Sequence, residues 1–514
     1  MILKSLIIKI DRASRIPIKT QIVDEIKDLI NKGLIKANTA LPSSRVLSIK
    51  LGVSRYTVYQ AYEELQVYGY LKSRPGSYNV VQKRKSEVPF DPERKSLISW
   101  ERACNASSER LFTDYLKNLA DIPTRSRKTD QSVINLTEMQ LDPSLFPVES
   151  FSRSLRYVLS NNGQEAMDFC SPEGNEALRG YIAQRLGLHG ISTCQDEILI
   201  TYGSQQALDL LMRLLCRPDK KVVIESPTYY NIIPLLRFYD ASIIGIPMRH
   251  DGMDLGQLER VLDEEAVSFV YTIPNFQNPT GLTTTHNHRE RLLNICMKRR
   301  VPIVEDGFDE EMKYSGKLPL PIKSIDERNI VIYLGTFSKI LFPGMRIGWV
   351  TADKDCIRRL TALKRVADLR CGNLIQASLA HFCQQGYYDL HLRRLHRVFR
   401  HRLEVALQTM KDYFPKAISW TQPKGGYCIW VKMPKKMTPT QLIELTILHK
   451  VRVSPGAYYF LQQSESEYFR LSIARVGVEE IREGIKRLAS ALRKVSLAAG
   501  LPSASEEHLS ETPR

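Results

Sequence analysis

A chain of 514 residues is too long for one hydrophobic core, and its length predicts about two to four domains. Its hydrophobic fraction of 43% and charged fraction of 25% are ordinary for a globular protein and exclude a chain that is disordered throughout. The net charge of +17 is uneven, since residues 1–85 hold 16 Lys or Arg against 6 Asp or Glu. This excess favours a polyanionic partner near the N-terminus, and the alternative is a solvated basic face.

The nine cysteines are scattered and form no CxxC pair, so neither a disulfide framework nor a zinc site is expected. Reduced thiols fit the cytoplasm best, and a cytoplasmic location is therefore predicted. The opening MILKSLIIKI is interrupted by Lys4 and Lys9 and lacks the order of a signal peptide. Because no run of about 18 apolar residues occurs, no membrane span is expected.

Residues 16–82 have the pattern of a compact unit with helices and a hairpin. The first helix is predicted from apolar residues at helical spacing, which are Ile22, Ile26, Leu29, Ile30 and Leu34. Gly33 should end it. A short second helix starts at Pro42-Ser43-Ser44 and ends at Gly52, and its predicted apolar side is Val46, Leu47 and Leu51.

A third helix is predicted to begin after the capping residue Ser54 and to end at Gly69. Its inward residues are expected to be Val58, Ala61, Tyr62 and Leu65. Tyr70–Val81 alternates around Pro75-Gly76 and predicts a hairpin. Two short helices joined by a tight turn and followed by a hairpin are typical of a winged helix-turn-helix.

In a winged helix-turn-helix the second of these helices enters the major groove of double-stranded DNA, so its first residues meet base edges. Those residues here are Ser54, Arg55, Tyr56 and Thr57, and Arg45 lies on the preceding helix. Lys72 and Arg74 lead into the hairpin tip, where they would meet phosphates or the minor groove. The alternatives are a winged helix used for protein contacts and an Arg55 engaged in a surface ion pair.

The segment LPSSRVLSIKLGVSRYTVYQAYEELQVYGYL, followed by RPGSYNVV, resembles the GntR-type winged helix over its whole length. This resemblance implies DNA contacts by the residues at the family's contact positions, namely Arg45, Arg55, Tyr56, Thr57 and Gly76. Tyr56 stands at a position that varies among members of the family.

The remaining chain divides into three predicted parts after a head of residues 1–82. Residues 83–130 are expected to be a linker with some helix around Ser107–Leu119, and residues 498–514 a disordered tail. Residues 131–497 alternate helical stretches with short β-rich runs, at Glu197–Thr201, Val222–Glu225, Phe269–Ile273, Pro302–Glu305 and Ile330–Leu334. The predicted class is α/β, a doubly wound and mostly parallel sheet with a smaller α+β segment from about 385 to 495.

Residues suited to pyridoxal 5'-phosphate (PLP) occur in order along this α/β segment. PLP needs a lysine for its aldehyde, a carboxylate for its pyridine nitrogen and donors for its phosphate, and an arginine usually grips the substrate carboxylate. Tyr202-Gly203-Ser204-Gln205-Gln206 follows a strand and opens a helix, which suits a phosphate. The other candidates are Asn278 in PNFQNPTG, Asp306 at a strand end, Lys339 in GTFSK, Arg346 in PGMR and Arg470 in YFRLS. Each signal alone is weak, but their joint order favours a PLP site.

This set resembles the fold-type I, class I/II aminotransferases from about residue 131 to 495. The resemblance implies that Lys339 carries PLP, Asp306 pairs with the pyridine nitrogen and Asn278 bonds the phenolic oxygen. It implies that the phosphate is held by Ser204, Gln205, Thr336, Ser338 and Arg346. It also implies that Tyr229 stacks on the ring and that Arg470 binds the α-carboxylate of an amino acid.

Three residues depart from what members of this family commonly have. Phe169 stands where a tyrosine often reaches the partner subunit's phosphate, Phe308 where a tyrosine often bonds the phenolic oxygen, and Met139 where a glycine often admits substrate. We therefore expect a site that binds PLP and ligands but turns over poorly. Whether the chain is an enzyme stays open at this point.

A GntR-type head fused to this body resembles the MocR arrangement, which implies a head-to-tail homodimer presenting two winged helices to repeated half-sites. The predicted function is a PLP-dependent transcription regulator that senses an amino acid, an amine or PLP itself. The alternative is an aminotransferase that carries a DNA-binding head. A purely architectural DNA-binding protein leaves Lys339 unexplained.

Overall fold

The computed structural model describes residues 7–73, 78–82, 97–118, 132–314, 316, 319–462 and 464–498. The chain divides into two compact units, Met1–Ala103 and Cys104–Arg514. Within the described ranges, no helix has both the length and the apolar content to cross a membrane.

The first unit contains the predicted helices and hairpin. Its elements are α1 (Ile18–Asn31), α2 (Ser44–Leu51), α3 (Arg55–Val67), β1 (Leu71–Ser73), β2 (Asn79–Val81) and α4 (Trp100–Ala103). β1 and β2 pair antiparallel, with Leu71 opposite Val81. The predicted inner residues of α3 are all buried, and Leu47 of α2 packs in the same core. This is the predicted winged helix-turn-helix, except that Arg74 and Gly76 lie outside the described residues.

Side-chain caps fix the two helices of the turn. Ser43 Oγ accepts a hydrogen bond from Val46 N at 3.3 Å, and Ser54 Oγ accepts one from Thr57 N at 3.0 Å. Between them, Gly52 ends α2 in the left-handed region, with φ +61°. The Tyr62 hydroxyl donates to Pro42 O at 2.9 Å, which ties α3 to the start of α2.

Two apolar residues that belong to the predicted helical patterns of the first unit are exposed. Leu34 is 68% exposed because α1 ends at Asn31 and the chain then turns at Gly33, where φ is +73°. Helical spacing therefore no longer decides where Leu34 points. Val46 is 57% exposed because the single short face of α2 that meets α3 is occupied by Leu47 and Ser48.

The second unit contains fourteen strands within the described residues. They are β3 (Ile134–Asn135), β4 (Ile198–Thr201), β5 (Lys221–Ser226), β6 (Ser242–Arg249), β7 (Gly252–Met253), β8 (Val267–Thr272), β9 (Ile303–Asp306), β10 (Val331–Thr336), β11 (Gly348–Thr351), β12 (Ser419–Trp420), β13 (Cys428–Met437), β14 (Val451–Arg452), β15 (Ser454–Pro455) and β16 (Ser466–Ser472). Five of them, β4, β5, β8, β9 and β10, match the predicted β-rich runs within one or two residues.

Eight of these strands form the large sheet in the order β4-β11-β10-β9-β8-β5-β6-β7. Only β11 and β7 run against their neighbours, so the predicted mostly parallel sheet is confirmed. A four-stranded antiparallel sheet, β12-β13-β16-β15, follows in the smaller segment, and β14 pairs with β3.

Helices cover both faces of the large sheet. The α-helices of the described part of the second unit are α5 (Ala106–Asn118), α6 (Val148–Met167), α7 (Glu176–Leu188), α8 (Gly203–Leu215), α9 (Ile232–Phe238), α10 (Leu255–Glu264), α11 (His286–Arg299), α12 (Lys354–Asp368), α13 (Leu374–Gln384), α14 (Tyr387–Tyr413), α15 (Pro439–Leu448) and α16 (Val478–Ala498). Alternate residues of β5 enter different cores: Val222 and Ile224 pack with α8 and α9, and Val223 packs with α10 and α11. The doubly wound architecture is therefore confirmed.

The helix predicted within the stretch 83–130 is α5. Its Ser107 Oγ donates to Asp240 Oδ2 at 3.1 Å, and Arg110 forms an ion pair with the same carboxylate. α5 thus belongs to the second unit, so this part of the stretch is attached to the α/β body rather than running free.

The imidazole at the end of α7 gives a pH-dependent prediction. His189 Nε2 lies 3.2 Å from Glu311 Oε1. Burial lowers the pKa of His189, but Glu311 more than offsets this, so the net pKa is raised above 6.5. A raised folded-state pKa stabilises the fold fully below the unfolded value, and this stabilisation is lost as the pH rises through the folded value.

His189→Gln should therefore lower the free energy of unfolding by about 1 kcal/mol more at about pH 5.5 than at about pH 8.5. Urea unfolding at both pH values measures this difference. His250→Gln is the matched control, because His250 is 95% exposed. Equal losses for His189→Gln at both pH values would contradict the prediction.

Candidate functional site

The exposed surface of the first unit carries the predicted DNA-contact residues at the start of α3. Arg55 and Tyr56 are exposed, and Arg45 of α2 is exposed beside them. Arg55 Nε reaches Ser44 Oγ at 3.5 Å and forms no ion pair with any described residue, which disfavours the salt-bridge alternative. Thr57 is half-buried, and its hydroxyl lies 2.7 Å from Ser54 Oγ.

Lys72 completes the described part of this surface. It is exposed on β1, opposite Val80 of β2. Exposed basic groups of this unit therefore occur on the helix pair and on the hairpin, and the hairpin tip itself lies outside the described residues.

In the second unit, the carboxyl ends of the parallel strands meet at one edge of the large sheet, as in other doubly wound sheets. Lys339 lies in the loop after β10, and its Nζ donates to Met139 O at 3.1 Å. The Tyr427 hydroxyl holds the Lys339 carbonyl at 2.8 Å. Burial lowers the pKa of the Lys339 amine, while Asp309 and Asp306 act in the opposite direction. A lowered pKa favours the unprotonated amine, which is the form that attacks an aldehyde.

Asp306 ends β9 and is 4% exposed. Its Oδ2 accepts a hydrogen bond from the Tyr271 hydroxyl at 2.8 Å, and its Oδ1 is buried without a hydrogen-bond partner among the described residues. Burial raises the pKa of this carboxyl to about 6, against the opposing effects of Tyr271 and Lys339. A protonated ring nitrogen would supply both the missing donor and a compensating positive charge.

Asp309 is a second buried carboxyl at this edge, and the sequence interpretation missed it. It is 1% exposed, and neither of its side-chain oxygens has a hydrogen-bond partner within the described part of the chain. A Cβ on Gly426 would lie 3.5 Å from Asp309 Oδ2, which places the carboxyl beside the residue that precedes Tyr427. Burial strongly raises the pKa of Asp309, and Lys339 is the main group that opposes this.

The predicted phosphate residues converge where β4 leads into α8. Gly203 opens α8 with φ +75°, and a Cβ there would meet the Arg346 guanidinium at 2.8 Å. Arg346 Nη2 donates to Tyr202 O at 3.1 Å. Ser338 N donates to Thr336 Oγ1 at 3.1 Å, and the Ser338 hydroxyl is buried without a partner among the described residues.

Ser204 and Gln205 are half-buried on the first turn of α8, where backbone NH groups remain available to an anion. β11 supports this turn from behind, since a Cβ on Gly348 would lie 2.9 Å from Ser204 N. The neighbouring Gln206 accepts a hydrogen bond from Tyr202 N at 2.8 Å and donates one to the Asp368 carboxylate. Its side chain therefore stabilises the start of α8.

Arg470 on β16 reaches the same edge from the smaller segment and is 3% exposed. Its Nη1 donates to Asn278 Oδ1 at 3.0 Å and its Nη2 to Thr137 O at 2.6 Å. Its Nε is buried without a partner among the described residues, and its guanidinium lies 5.2 Å from the centre of the Tyr459 ring. Because Arg470 donates to the Asn278 amide oxygen, the NH2 group of the same amide is left as a donor.

Tyr229 belongs to one apolar cluster next to these groups, together with two of the three residues that depart from the common family pattern. Tyr229 follows β5, and its hydroxyl accepts a hydrogen bond from Asn231 Nδ2 at 2.8 Å. Met139 and Phe308 pack in this cluster with Tyr229. Phe169 is 63% exposed, in an antiparallel bridge with Gly372.

The residues present fit PLP on structural grounds. A half-buried lysine, a carboxylate with one unsatisfied oxygen, an unsatisfied serine hydroxyl, a helix start beside an arginine and a buried arginine with an unsatisfied Nε occur at one sheet edge. Fold and site together define a PLP-dependent aminotransferase-type body, carried by a chain whose first unit is a helix-turn-helix.

The comparisons with known families agree with this definition. The model of aminotransferase class I and II matches residues 132–488, and that of bacterial regulatory proteins of the gntR family matches residues 18–81. The chain belongs to the aminotransferase class I and II family and, through its GntR-family head, to the regulators of the MocR kind. Proteins with this aminotransferase fold bind PLP.

Individual relatives fall into two groups. The chain is 28% identical to the uncharacterized HTH-type transcriptional regulator YisV of Bacillus subtilis, over 95% of this chain and 98% of that protein. It is 35% identical to aromatic-amino-acid aminotransferase 1 of Thermococcus litoralis, over 70% of this chain and 88% of that protein. The crystal structure of Pyrococcus horikoshii kynurenine aminotransferase, with PMP, matches with TM-score 0.72 and 32% identity, over 77% of this chain and 98% of that one.

Proposed function

We propose that this protein is a DNA-binding transcription regulator whose aminotransferase-like body holds PLP and senses an amino acid, an amine or PLP itself. The observation that carries the proposal is the presence, in one chain, of an exposed basic helix start at Arg55 and a half-buried lysine, Lys339, at the same site as the buried carboxylate of Asp306. An enzyme of metabolism alone has no use for the first, and a simple DNA-binding protein has none for the second.

The proposed PLP site uses this chain's residues as follows. When bound, PLP supplies an aldehyde for an amine and a ring that withdraws electrons. Lys339 would receive the aldehyde, Asp306 Oδ1 would face the ring nitrogen and favour its protonated form, and the Asn278 amide would donate to the phenolic oxygen. Tyr229 stacks on the ring. The phosphate is assigned to Ser204, Gln205, Thr336, Ser338 and Arg346.

The effector site follows from Arg470. A buried guanidinium with an unsatisfied Nε suits a carboxylate, because charge-assisted hydrogen bonds are strong in such surroundings. The carbonyl of Met139 accepts the hydrogen bond from Lys339 Nζ, and its side chain contacts Cys428. Met139 therefore narrows the space through which a ligand reaches Lys339. Phe308 brings no hydroxyl to the ring. These features favour sensing over rapid turnover, and the ligand acts through its different affinities for two states of the protein.

DNA contact is proposed for Arg45, Arg55, Tyr56, Thr57 and Lys72, together with Arg74 and Gly76 from the sequence alone. We propose a homodimer, arranged head to tail, whose two heads engage two half-sites in the cytoplasm. The proposed division is a head of residues 1–82, a connection of 83–130, a body of 131–497 and a tail of 498–514.

A second function is an active aminotransferase that carries a DNA-binding head. It is favoured by the complete set of Lys339, Asp306 and Arg470, and by the 35% identity to an aminotransferase. The two functions differ in what a ligand changes, which is DNA affinity in the first and product formation in the second.

One experiment separates them. Purified full-length protein with and without PLP is mixed with each of a panel of amino acids and amines, and the visible absorbance and the affinity for DNA from its own gene neighbourhood are recorded. A regulator gives a ligand that changes both the absorbance and the DNA affinity. Rapid multiple turnover with a 2-oxo acid, together with DNA affinity that no ligand changes, would support the aminotransferase instead.

A further inference from the structure

Two cysteines that are far apart in sequence face each other in the second unit. Phe169 and Gly372 form an antiparallel bridge, so Cys170 lies directly opposite Cys371. Cys170 N donates to Cys371 O at 3.2 Å, and Cys170 Sγ donates to the same carbonyl at 3.5 Å. Opposite residues of a hydrogen-bonded antiparallel pair have Cα atoms about 5.5 Å apart. A disulfide spans that separation without backbone movement.

A buried lysine makes one of these thiols different from an ordinary cysteine. Lys364 of α12 is 2% exposed, and its Nζ donates to Cys371 Sγ at 2.7 Å, Ile200 O at 2.6 Å and Pro172 O at 2.8 Å. The two carbonyls are neutral, so the sulfur is the one acceptor of this ammonium that can carry a compensating negative charge.

The protonation of the pair follows from these contacts. The adjacent Cys170 thiol and then the Lys364 ammonium lower the pKa of Cys371, despite its burial. The pKa of Cys170 is raised by Cys371 and by burial. These contacts favour the thiolate form of Cys371 and the thiol form of Cys170, which is the arrangement of an attacking cysteine beside a resolving one.

Cys371 is 2% exposed, but it borders a cavity large enough for a small molecule. Cys371 lines a cavity of about 160 Å³, together with Tyr202 and Arg346. This volume is several times that of a water molecule, about 30 Å³, so hydrogen peroxide fits. Cys296 and Cys428 are also buried, but there burial prevails and raises the pKa of each to about 12.

We propose that Cys371 and Cys170 form a peroxide-reactive thiol pair. The Cys371 thiolate attacks one oxygen of a hydroperoxide, so an S–O bond forms, the O–O bond breaks, and the leaving oxygen takes a proton to give water or an alcohol. The sulfur of Cys170 then attacks the Cys371 sulfenic acid, losing its proton as the S–S bond forms and water departs. The two sulfurs supply the two electrons that reduce the peroxide.

Full-length protein is exposed briefly to hydrogen peroxide near neutral pH, alkylated after denaturation, and mapped by mass spectrometry. The expected first product is the linked pair of peptides containing Cys170 and Cys371, with the loss of two hydrogen atoms. Lys364→Met should slow its formation by about tenfold. The exposed Cys104 and Cys194 are the internal reference thiols.

A second variant guards against misfolding of Lys364→Met. Cys170→Ser keeps the contacts of Lys364 and removes the resolving thiol, so a sulfenic acid should persist on Cys371 and be trapped by dimedone. Oxidation of Cys104 and Cys194 while both paired cysteines stay reduced, or Cys170→Ser protein without a trapped adduct on Cys371, would overturn the proposal.

Discussion

Lys339→Ala is expected to abolish the visible absorbance of protein-bound PLP and every response of DNA binding to ligand, while leaving DNA binding without ligand unchanged. The lysine amine is held at the sheet edge by Met139 O, and burial lowers its pKa, so no other amine in the described part of the chain is placed to replace it beside Asp306. The DNA-contact residues belong to a separate compact unit, which the substitution does not touch.

Absorbance spectra after PLP addition and removal of excess PLP measure the first effect, and a DNA titration measures the second. Lys354→Ala is the matched control, because this lysine side chain is 52% exposed on α12. Visible absorbance retained by Lys339→Ala but lost by a different lysine variant would show that the assignment is wrong.

Arg55→Ala should weaken binding to the specific DNA site by about 1–3 kcal/mol, which corresponds to roughly 5- to 150-fold, if the guanidinium reads a guanine. Arg55 is exposed at the first residue of α3, and its one described side-chain contact is the 3.5 Å approach to Ser44 Oγ. The fold therefore loses little when the side chain is removed, and the loss should appear in DNA affinity.

Arg15→Ala provides the matched control, because it removes the same charge from another exposed position of the head. Both variants are compared by gel shift on specific and unrelated DNA at several salt concentrations. Arg15→Ala should affect the two DNAs alike, whereas Arg55→Ala should affect the specific DNA more. An unchanged gel shift for Arg55→Ala would remove this residue from the recognition surface.

Local patterns were enough to predict most of the fold. The inner face of α3 and the strand that ends at Asp306 follow from spacing and from turn residues alone, because helix and strand periods fix which side chains share a face. Leu34 and Val46 belong to the predicted apolar patterns but are exposed, since the exact end of α1 and the contact face of a two-turn helix depend on neighbouring elements.

The candidate site was only partly predictable. Lys339 was proposed because its motif follows a strand. Arg470 and Tyr271 both lie inside strands, and Arg470 was proposed only because it completes the set that resembles the aminotransferases. Asp309 was missed because its isolation from donors exists only after the chain around Gly426 closes over it. Cys170 and Cys371 are 201 residues apart, and no spacing rule pairs them.

The crowding behind the first turn of α8 has a consequence for sequence drift. An added Cβ at Gly348 would come within 2.8 Å of Gly203 C and 2.9 Å of Gly335 O, both backbone atoms that cannot rotate away. Gly348→Ala adds only one methyl group, but it would displace the first turn of α8, which is proposed to bind the phosphate. No polar side chain would be changed. Binding of PLP, a form of vitamin B6, is therefore expected to weaken through a change in β11, a strand that is assigned no contact with this cofactor.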